Sequence, residues 1–205
     1  MANLKCLMLN TSLKTSDEES NTSALMQEAA RWMESEGVQA VELRVADYKV
    51  VPGMEPDMGD SDEWPQLMER VLAADILVIG TPIWMGEKSS IATRVMERLY
   101  ASSSETNEKG QAIYYNKVAG VIVTGNEDGA KHASQSILYG MQHVGFTIPP
   151  NVDAYWVGEA GPGPSYMEAG RDSEFTKKNT KMLAFNLVHF ARMLKENPIP
   201  EKGNS

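Results

Sequence analysis

The sequence predicts an α/β fold built on one doubly wound, five-stranded parallel sheet in the order 2-1-3-4-5, with helices on both faces. Three observations support this prediction. Short apolar runs alternate with segments whose apolar residues recur at helical spacing, which is the pattern of repeated strand–helix units. The clearest run, Asp75–Gly80, is apolar on both faces, as expected of a central strand covered by helices. Five strands in 205 residues fit this order best among the common doubly wound arrangements.

The five predicted strands are short and rich in aliphatic and β-branched residues. Each is followed by polar or glycine-containing sequence that ends it. The predicted strands are Leu4–Leu9, Val38–Val45, Asp75–Gly80, Tyr115–Val123 and Val152–Val157.

The predicted helices lie between and after these strands. Leu25, Ala29 and Met33 illustrate the helical spacing, and Gly37 suits the exit of that first helix. Proline and glycine mark the longer connections, and the segment Gly158–Gly170 is predicted to contain no regular structure. The predicted helices cover about Asn21–Ser35, Trp64–Leu72, Ile91–Leu99, Ala130–Val144 and Ser173–Lys195.

Length and composition indicate one domain over residues 1–198, followed by a flexible C-terminal tail over residues 199–205. No apolar stretch approaches the roughly 20 residues that span a bilayer. The N-terminus turns polar too quickly for a signal peptide, so we expect a cytoplasmic location. The single cysteine, Cys6, excludes an internal disulfide and is expected to be a small buried residue of the first strand.

The net charge of −9 argues against a nucleic-acid partner and against binding to an anionic membrane surface. An acidic surface favours solubility, and it also suits docking to a basic redox partner. The histidines provide no metal site, because His132 and His143 are about three helical turns apart. No metal is therefore expected, and each histidine is expected to be a surface or packing residue.

Three polar segments each follow a predicted strand: Asn10–Thr22, Thr81–Gly86 and Thr124–Gly129, here called the first, second and third loops. The carboxyl ends of parallel strands meet at a crevice where ligands bind. These loops are rich in Ser, Thr, Asn, Gly and Pro, so the sequence predicts that they form one cradle for a flat, phosphate-bearing cofactor.

The first loop joins a strand to a helix N-terminus, which is a favourable place for an anion. It contains neither a Walker sequence nor the G-x-G-x-x-G fingerprint. It therefore suits a monophosphate held by hydrogen bonds, with Lys14 as the available cation. The alternative is that Ser20, Asn21 and Thr22 only cap the helix.

The second and third loops combine apolar surface with flexible backbone. Pro82 stiffens the second loop, and Trp84 and Met85 place apolar surface beside backbone amides, which suits a heteroaromatic ring. The alternative is that Trp84 is a core residue or a dimer contact. In the third loop, Gly125 and Gly129 allow the backbone to approach a ligand closely.

Together these motifs resemble the NAD(P)H-dependent FMN reductase branch of the flavodoxin-like superfamily, a group that includes quinone and azo-dye reductases. The resemblance lies in the strand–Ser12-Leu13-Lys14…Asn21-Thr22 opening, in Gly80–Gly86 and in Thr124–Gly129. It covers roughly Leu4 to Val157, with the motifs in the expected order and separation. It differs from the family pattern in the longer first loop and in Glu127 and Asp128, whose side chains we expect to point away from the cofactor ring.

The resemblance implies FMN as cofactor and NAD(P)H as co-substrate. Because FMN would carry the chemistry, no catalytic side chain is predicted. The implied phosphate ligands are Ser12, Lys14, Asn21 and Thr22. The implied ring contacts are Pro82, Ile83, Trp84, Met85 and Gly86, with Thr124, Gly125, Asn126 and Gly129 at the other edge.

The resemblance therefore predicts an FMN-dependent oxidoreductase that passes electrons from NAD(P)H through bound FMN to a quinone, azo compound or flavin. The alternative is a flavodoxin-type electron carrier without NAD(P)H activity of its own. The expected partners are a small-molecule acceptor and further copies of the chain, in a homodimer or homotetramer. Tyr155 and Trp156 are candidates for a wall of the pocket, and Gly158–Tyr166 is a candidate lid, dimer contact or plain connector.

Overall fold

The computed structural model describes residues 3–205 as a sheet with helices on both faces. The strands are β1 (Lys5–Asn10), β2 (Gln39–Arg44), β3 (Ile76–Trp84), β4 (Glu87–Lys88), β5 (Val118–Gly125) and β6 (Asp153–Val157). The helices are α1 (Asn21–Ser35), α2 (Trp64–Ala73), α3 (Ser90–Ala101), α4 (Ala130–Val144), α5 (Tyr166–Ala169) and α6 (Glu174–Glu196).

The strand order β2-β1-β3-β5-β6 confirms the predicted topology, because these five parallel strands are the first to fifth long strands of the chain. The short β4 is an addition that pairs antiparallel with the end of β3. It corrects the prediction that Thr81–Gly86 is entirely loop, since β3 continues to Trp84. Met85 and Gly86, with φ of 51° and 75°, form the tight turn, and two positive φ values are typical of a two-residue hairpin.

The core consists of two apolar layers, one on each face of the sheet. Helices α2, α3 and α4 cover one face, through residues such as Leu67, Val95 and Ile137. Helices α1 and α6 cover the other, through residues such as Leu25 and Leu187. Cys6 belongs to this second layer and is 2% exposed, which confirms that it is a buried apolar residue.

The predicted absence of regular structure in Gly158–Gly170 is wrong in its second half, where α5 forms a single helical turn. Ser165 and Glu168 form a capping box, in which the Ser165 N–H donates to the Glu168 carboxylate at 2.7 Å. The glycine and proline residues that suggested a loop end at Pro164, and the S-x-x-E sequence that follows is a helix start signal. The fourth long strand also begins at Val118, three residues after the predicted start, because Asn116 adopts a positive φ of 67° in a turn.

The C-terminal tail lies against the segment that follows α3. The Gln111 side chain donates to the carbonyls of Ile199 and Pro200, and Lys109 lies 3.5 Å from the Glu201 carboxylate. The flexibility of residues 199–205 stays a prediction. Within residues 3–205, no helix combines the length and apolar character that crossing a membrane requires.

Candidate functional site

A cavity of about 300 Å³ opens at the carboxyl ends of the central strands, where the first, second and third loops meet. Most of the predicted site residues line it: Ser12, Lys14, Asn21, Thr22, Pro82, Ile83, Trp84, Thr124, Gly125 and Asn126. Leu13, Ser20 and Trp156 complete the lining. The structure does not bring Met85, Gly86 or Gly129 into this lining, because they form the hairpin turn and the residue before α4.

The first loop is arranged around the N-terminus of α1. Ser20 is the cap residue, and its hydroxyl accepts the Ser23 N–H at 3.2 Å. The backbone N–H groups of Asn21 and Thr22 have no acceptor among residues 3–205, as expected in a first helical turn. Ser20 thus fills the capping role, while the next two residues leave donors available for an anion.

Two further side chains hold the first loop in place. Arg44, at the end of β2, donates to the carbonyls of Lys14 at 3.1 Å and Thr15 at 2.8 Å. The Lys14 ammonium donates to the Glu19 carbonyl at 3.1 Å, which brings the two sides of the loop together. Sequence reasoning missed Arg44, since only the β1–β2 pairing places it beside a loop thirty residues earlier.

A buried hydrogen bond connects the first loop to the third. The Thr22 and Thr124 hydroxyls are 2.8 Å apart, although 102 residues separate them in the sequence. Outside the cavity lining, the Ser89 hydroxyl donates to the Thr11 carbonyl at 2.7 Å, and the Thr11 hydroxyl donates to the Gly80 carbonyl at 2.7 Å. Buried hydroxyl groups therefore link the first loop to the third loop and, separately, to β3 and the start of α3.

Glu127 contacts the second loop but does not line the cavity, and the expectation that it points away from the cofactor ring stays a prediction. Its carboxylate accepts the Met85 N–H at 2.9 Å, whereas Asp128 is exposed to solvent. The Met85 N–H lies in the hairpin turn outside the strand pairing, so the carboxylate supplies an acceptor that the sheet does not.

Gly129 has a packing role that explains its absence from the lining. A Cβ atom at Gly129, where φ is 125°, would lie 2.4 Å from the Gly86 carbonyl oxygen. The hairpin turn and the start of α4 are thus in direct backbone contact. The Glu87 carboxylate on β4 also reaches His132 on α4, at 3.1 Å from its Nε2 atom.

The pKa of Glu87 lies below its ordinary value. The Lys88 backbone N–H contributes most to this, burial opposes it, and the Lys88 and His132 side chains add to the lowering. His132 therefore contacts the hairpin as a surface packing residue. Within residues 3–205, no three His, Cys, Asp or Glu side chains are grouped so as to hold a metal ion.

The segment that follows β6 is held next to the site by two predicted ligand residues. The Asn21 side-chain oxygen accepts the Met167 N–H at 3.0 Å. The Asn126 amide donates to the carbonyls of Gly163 and Pro164 at 3.2 and 3.1 Å. Part of the hydrogen-bonding capacity of both asparagines is therefore used to hold this segment.

Only one of the two aromatic residues at the end of β6 reaches the cavity. Trp156 lines it and packs edge-on against Tyr166 of α5, with 5.8 Å between ring centroids. Tyr155 points to the opposite face of the sheet, because successive strand residues alternate. It packs on Phe175 of α6 at 5.4 Å instead, so the expectation that it walls the pocket is wrong.

The cavity has the chemistry that FMN requires. Free N–H groups, the Ser12 hydroxyl and the Lys14 ammonium lie at the α1 end, where a phosphate would be bound. Apolar surface from Pro82, Ile83 and the two tryptophans lies elsewhere in the lining and suits a flat ring.

This fold and this site define a flavodoxin-like α/β protein with a nucleotide-sized cavity at the sheet edge. The chain matches the family model described as NADPH-dependent FMN reductase over residues 4–159, and it belongs to that family. Membership confirms the predicted flavin-dependent oxidoreductase class and FMN as cofactor, and NAD(P)H as co-substrate is consistent with the family description.

Two named relatives are similar over nearly the whole chain. A protein of Mycobacterium bovis (strain ATCC BAA-935 / AF2122/97) named divalent metal cation transporter MntH is 48% identical over 199 residues, which is 94% of this chain. The chain spans only 29% of the length of that protein. The 8-demethyl-8-aminoriboflavin-5′-phosphate synthase of Streptomyces davaonensis is 39% identical over 205 residues, covering 95% of this chain and 80% of the synthase.

Solved structures agree with this assignment. The crystal structure of RosB with the bound intermediate 8-demethyl-8-formylriboflavin-5′-phosphate is 38% identical, with a TM-score of 0.88 over 96% of this chain and 82% of that one. An apo NADH:FMN oxidoreductase, EMOB, is 16% identical with a TM-score of 0.61 over 96% of this chain and 92% of that one. At that identity the likeness to EMOB shows the fold alone.

Proposed function

We propose that this chain is an NAD(P)H-dependent oxidoreductase that passes electrons through bound FMN to a quinone, azo compound or free flavin. One observation carries the proposal: a single cavity combines the free N–H groups of α1 with the aromatic surface of Trp84. Trp84 is 52% exposed and is therefore not a core residue. A ring packed beside it would keep one face open to small molecules.

The residues divide into two groups by role. The N–H groups of Asn21 and Thr22, the Ser12 hydroxyl and Lys14 would hold the phosphate. Pro82, Ile83, Trp84, Thr124, Gly125 and Asn126 would border the ring, together with Trp156. Met85, Gly86 and Gly129 would act indirectly, by setting the position of the hairpin. When bound, FMN supplies the hydride and electron transfer, and the protein orients it and controls access.

The deciding experiment mixes FMN-loaded protein with NADPH or NADH in the absence of oxygen. We expect rapid bleaching of the flavin absorption without any other protein, followed by recovery of the colour when a quinone is added. Bleaching that requires an added reductase would instead favour the electron carrier, for which the net charge of −9 is the supporting observation.

The assignment of the phosphate end is tested by Ser12→Ala, with Ser16→Ala as the control. Both serines belong to the first loop, but only Ser12 lines the cavity. Loss of a hydrogen bond to a charged group should weaken FMN binding by about 1.5–3 kcal/mol. Equal FMN dissociation constants for the two variants, measured by fluorescence titration, would remove Ser12 from the site.

A second candidate function is flavin modification, in which flavin phosphate is the substrate. The identity of 39% to the aminoriboflavin-phosphate synthase and the TM-score of 0.88 to RosB favour it. Incubation with FMN in air, followed by mass spectrometry, would reveal 8-demethyl-8-formylriboflavin-5′-phosphate if the chain shares that chemistry. Recovery of unmodified FMN would leave the reductase as the better proposal.

We also propose that the chain assembles into a homodimer or homotetramer. Exposed aromatic residues on α3 and α4 support this, since Tyr100 and Tyr139 both stack on His143 at the surface. Sedimentation analysis of the FMN-loaded protein would give the assembly state directly.

A further inference from the structure

A second cavity, of about 510 Å³, lies on the side of the molecule between α1 and the start of α6; we call it the side cavity. It shares no lining residue with the flavin cavity. Its lining consists of Glu28, Arg31, Trp32, Ser35, Arg171 and Lys177.

The side cavity is cationic although the chain as a whole carries a net charge of −9. Three cations and one carboxylate line it. Two of the cations have acidic neighbours, since Arg31 lies 4.0 Å from Glu28 and Lys177 lies 3.0 Å from Glu174. Arg171 makes no ion pair or hydrogen bond with any residue in the described range 3–205. Its guanidinium is therefore available for an oxyanion, and the planar fork of Arg matches a phosphate well.

An aromatic side chain lies among these cations. Trp32 is 38% exposed, and the Lys181 ammonium lies 4.6 Å from its ring centroid. Phe185 of α6 adds a second ring at 6.2 Å from Trp32. Aromatic rings beside cations are the combination that binds the base and the phosphate of a nucleotide.

Tyr166 of α5 separates the side cavity from the flavin cavity. It is fully buried, and its hydroxyl lies beside the Glu28 carboxylate. Burial raises the pKa of this hydroxyl, and Glu28 raises it further, while Arg171 and Arg31 lower it. These neighbours show that the hydroxyl lies next to residues of the side cavity, while the ring packs on Trp156 of the flavin cavity.

We propose that the side cavity binds a phosphorylated nucleoside, with its base near Trp32 and a phosphate monoester on Arg31, Arg171 and Lys177. We assign this bound nucleoside to the adenosine 2′-phosphate end of NADPH, an assignment that rests on the proposed function. The site would then favour NADPH over NADH.

Binding of nucleotide fragments tests the cavity independently of catalysis. Adenosine 2′,5′-bisphosphate and adenosine 5′-monophosphate are titrated calorimetrically into FMN-loaded protein, so that the flavin cavity is already filled. We expect the bisphosphate to bind at least tenfold more tightly, and Arg171→Gln to remove most of that advantage. Lys178→Gln is the matched control, because Lys178 is an exposed cation on α6 outside the lining. Equal affinity for the two fragments, or an equal loss of bisphosphate affinity in both variants, would contradict the proposed nucleotide site.

Steady-state kinetics then test the source of the nucleotide. With NADPH as co-substrate, Arg171→Gln should raise KM by a factor at least five times larger than with NADH. If fragment binding depends on Arg171 but the two KM values change equally, the nucleotide site stands and its assignment to NADPH is overturned. If neither co-substrate reduces the protein, the proposed function fails, but fragment binding still shows whether the side cavity binds a phosphorylated nucleoside.

Discussion

Asp62 and Arg98 are single residues that organise a long irregular segment between β2 and α2. Their side chains are fully buried and lie 2.7 Å apart. Arg98 also donates to the carbonyls of Val51 and Pro56, at 2.6 and 3.0 Å. Burial acts to raise the pKa of Asp62, but hydrogen bonds from Arg98 and from three backbone N–H groups outweigh it, so the pKa lies below its ordinary value.

Replacing Asp62 should expose the energetic importance of this pair. Asp62→Asn leaves the Arg98 charge buried and without its partner, which we expect to lower the free energy of unfolding by about 3–5 kcal/mol. Asp60→Asn, an exposed change in the same segment, should have little effect. Urea denaturation at neutral pH measures both variants, and equal stabilities would show that the buried pair contributes nothing.

The same pair predicts a direction for the pH dependence of stability. Because the folded pKa of Asp62 is depressed, its contribution is fully present above the unfolded value near 3.9 and is lost as the pH falls through the folded pKa. The stability difference between wild type and Asp62→Asn should therefore shrink in acid. A difference that grows below pH 4 in urea titrations would contradict this assignment.

Glu127 places a carboxylate on the β3–β4 hairpin, next in sequence to the cavity-lining Trp84, through its bond to the Met85 N–H. Glu127→Gln removes a negative charge that disfavours an electron-rich reduced flavin, so the reduction potential of bound FMN should rise. A tenfold change in the relative affinity for reduced and oxidised FMN corresponds to about 30 mV for a two-electron couple. Asp128→Asn is the control, since Asp128 is a solvent-exposed neighbour. Equal potentials for the two variants, from anaerobic dye titration, would place Glu127 away from the ring.

At the scale of elements, the contact between the β3–β4 hairpin and α4 depends on Gly129. Gly129→Ala must displace the hairpin, because the new Cβ would lie 2.4 Å from the Gly86 carbonyl oxygen. Gly161→Ala is a matched control at φ 99° with no atom within 4 Å of the new Cβ. The control should cost only the backbone strain of about 1–2 kcal/mol. We expect Gly129→Ala to cost more in thermal unfolding and also to weaken FMN binding, whereas equal losses would argue against the hairpin contact.

Local sequence patterns were sufficient to predict some of the helices and strands but not others. The spacing of Leu25, Ala29 and Met33 predicted α1, and the apolar run Asp75–Gly80 predicted the central strand. The hairpin was not predicted, because β4 has only two residues and no apolar pattern of its own. The capping box at Ser165 was visible in the sequence but was obscured by the preceding glycine and proline residues.

At the scale of the whole molecule, Cys6 reports on global unfolding. It lies within β1 with strands on both sides, and burial raises the pKa of its thiol, so little thiolate forms in the folded protein. A thiol reagent should therefore modify native protein at a rate that follows the unfolding equilibrium, and should react fully in denaturant. Rapid labelling without denaturant would show that the sheet opens locally.

The sequence by itself determined the parallel α/β sheet, the three loops that meet at its edge and the family to which the chain belongs, whereas its strand order was the best fit among the common doubly wound arrangements. Those features follow from local periodicity and from the rule that parallel strands place their carboxyl ends together. Only the tertiary structure decided that Trp156 lines the cavity in place of Tyr155, that Arg44 supports the first loop and that Glu127 binds the hairpin. The side cavity likewise depends on α1 and α6 lying together, because contacts between residues more than a hundred positions apart leave no periodic signal in the chain.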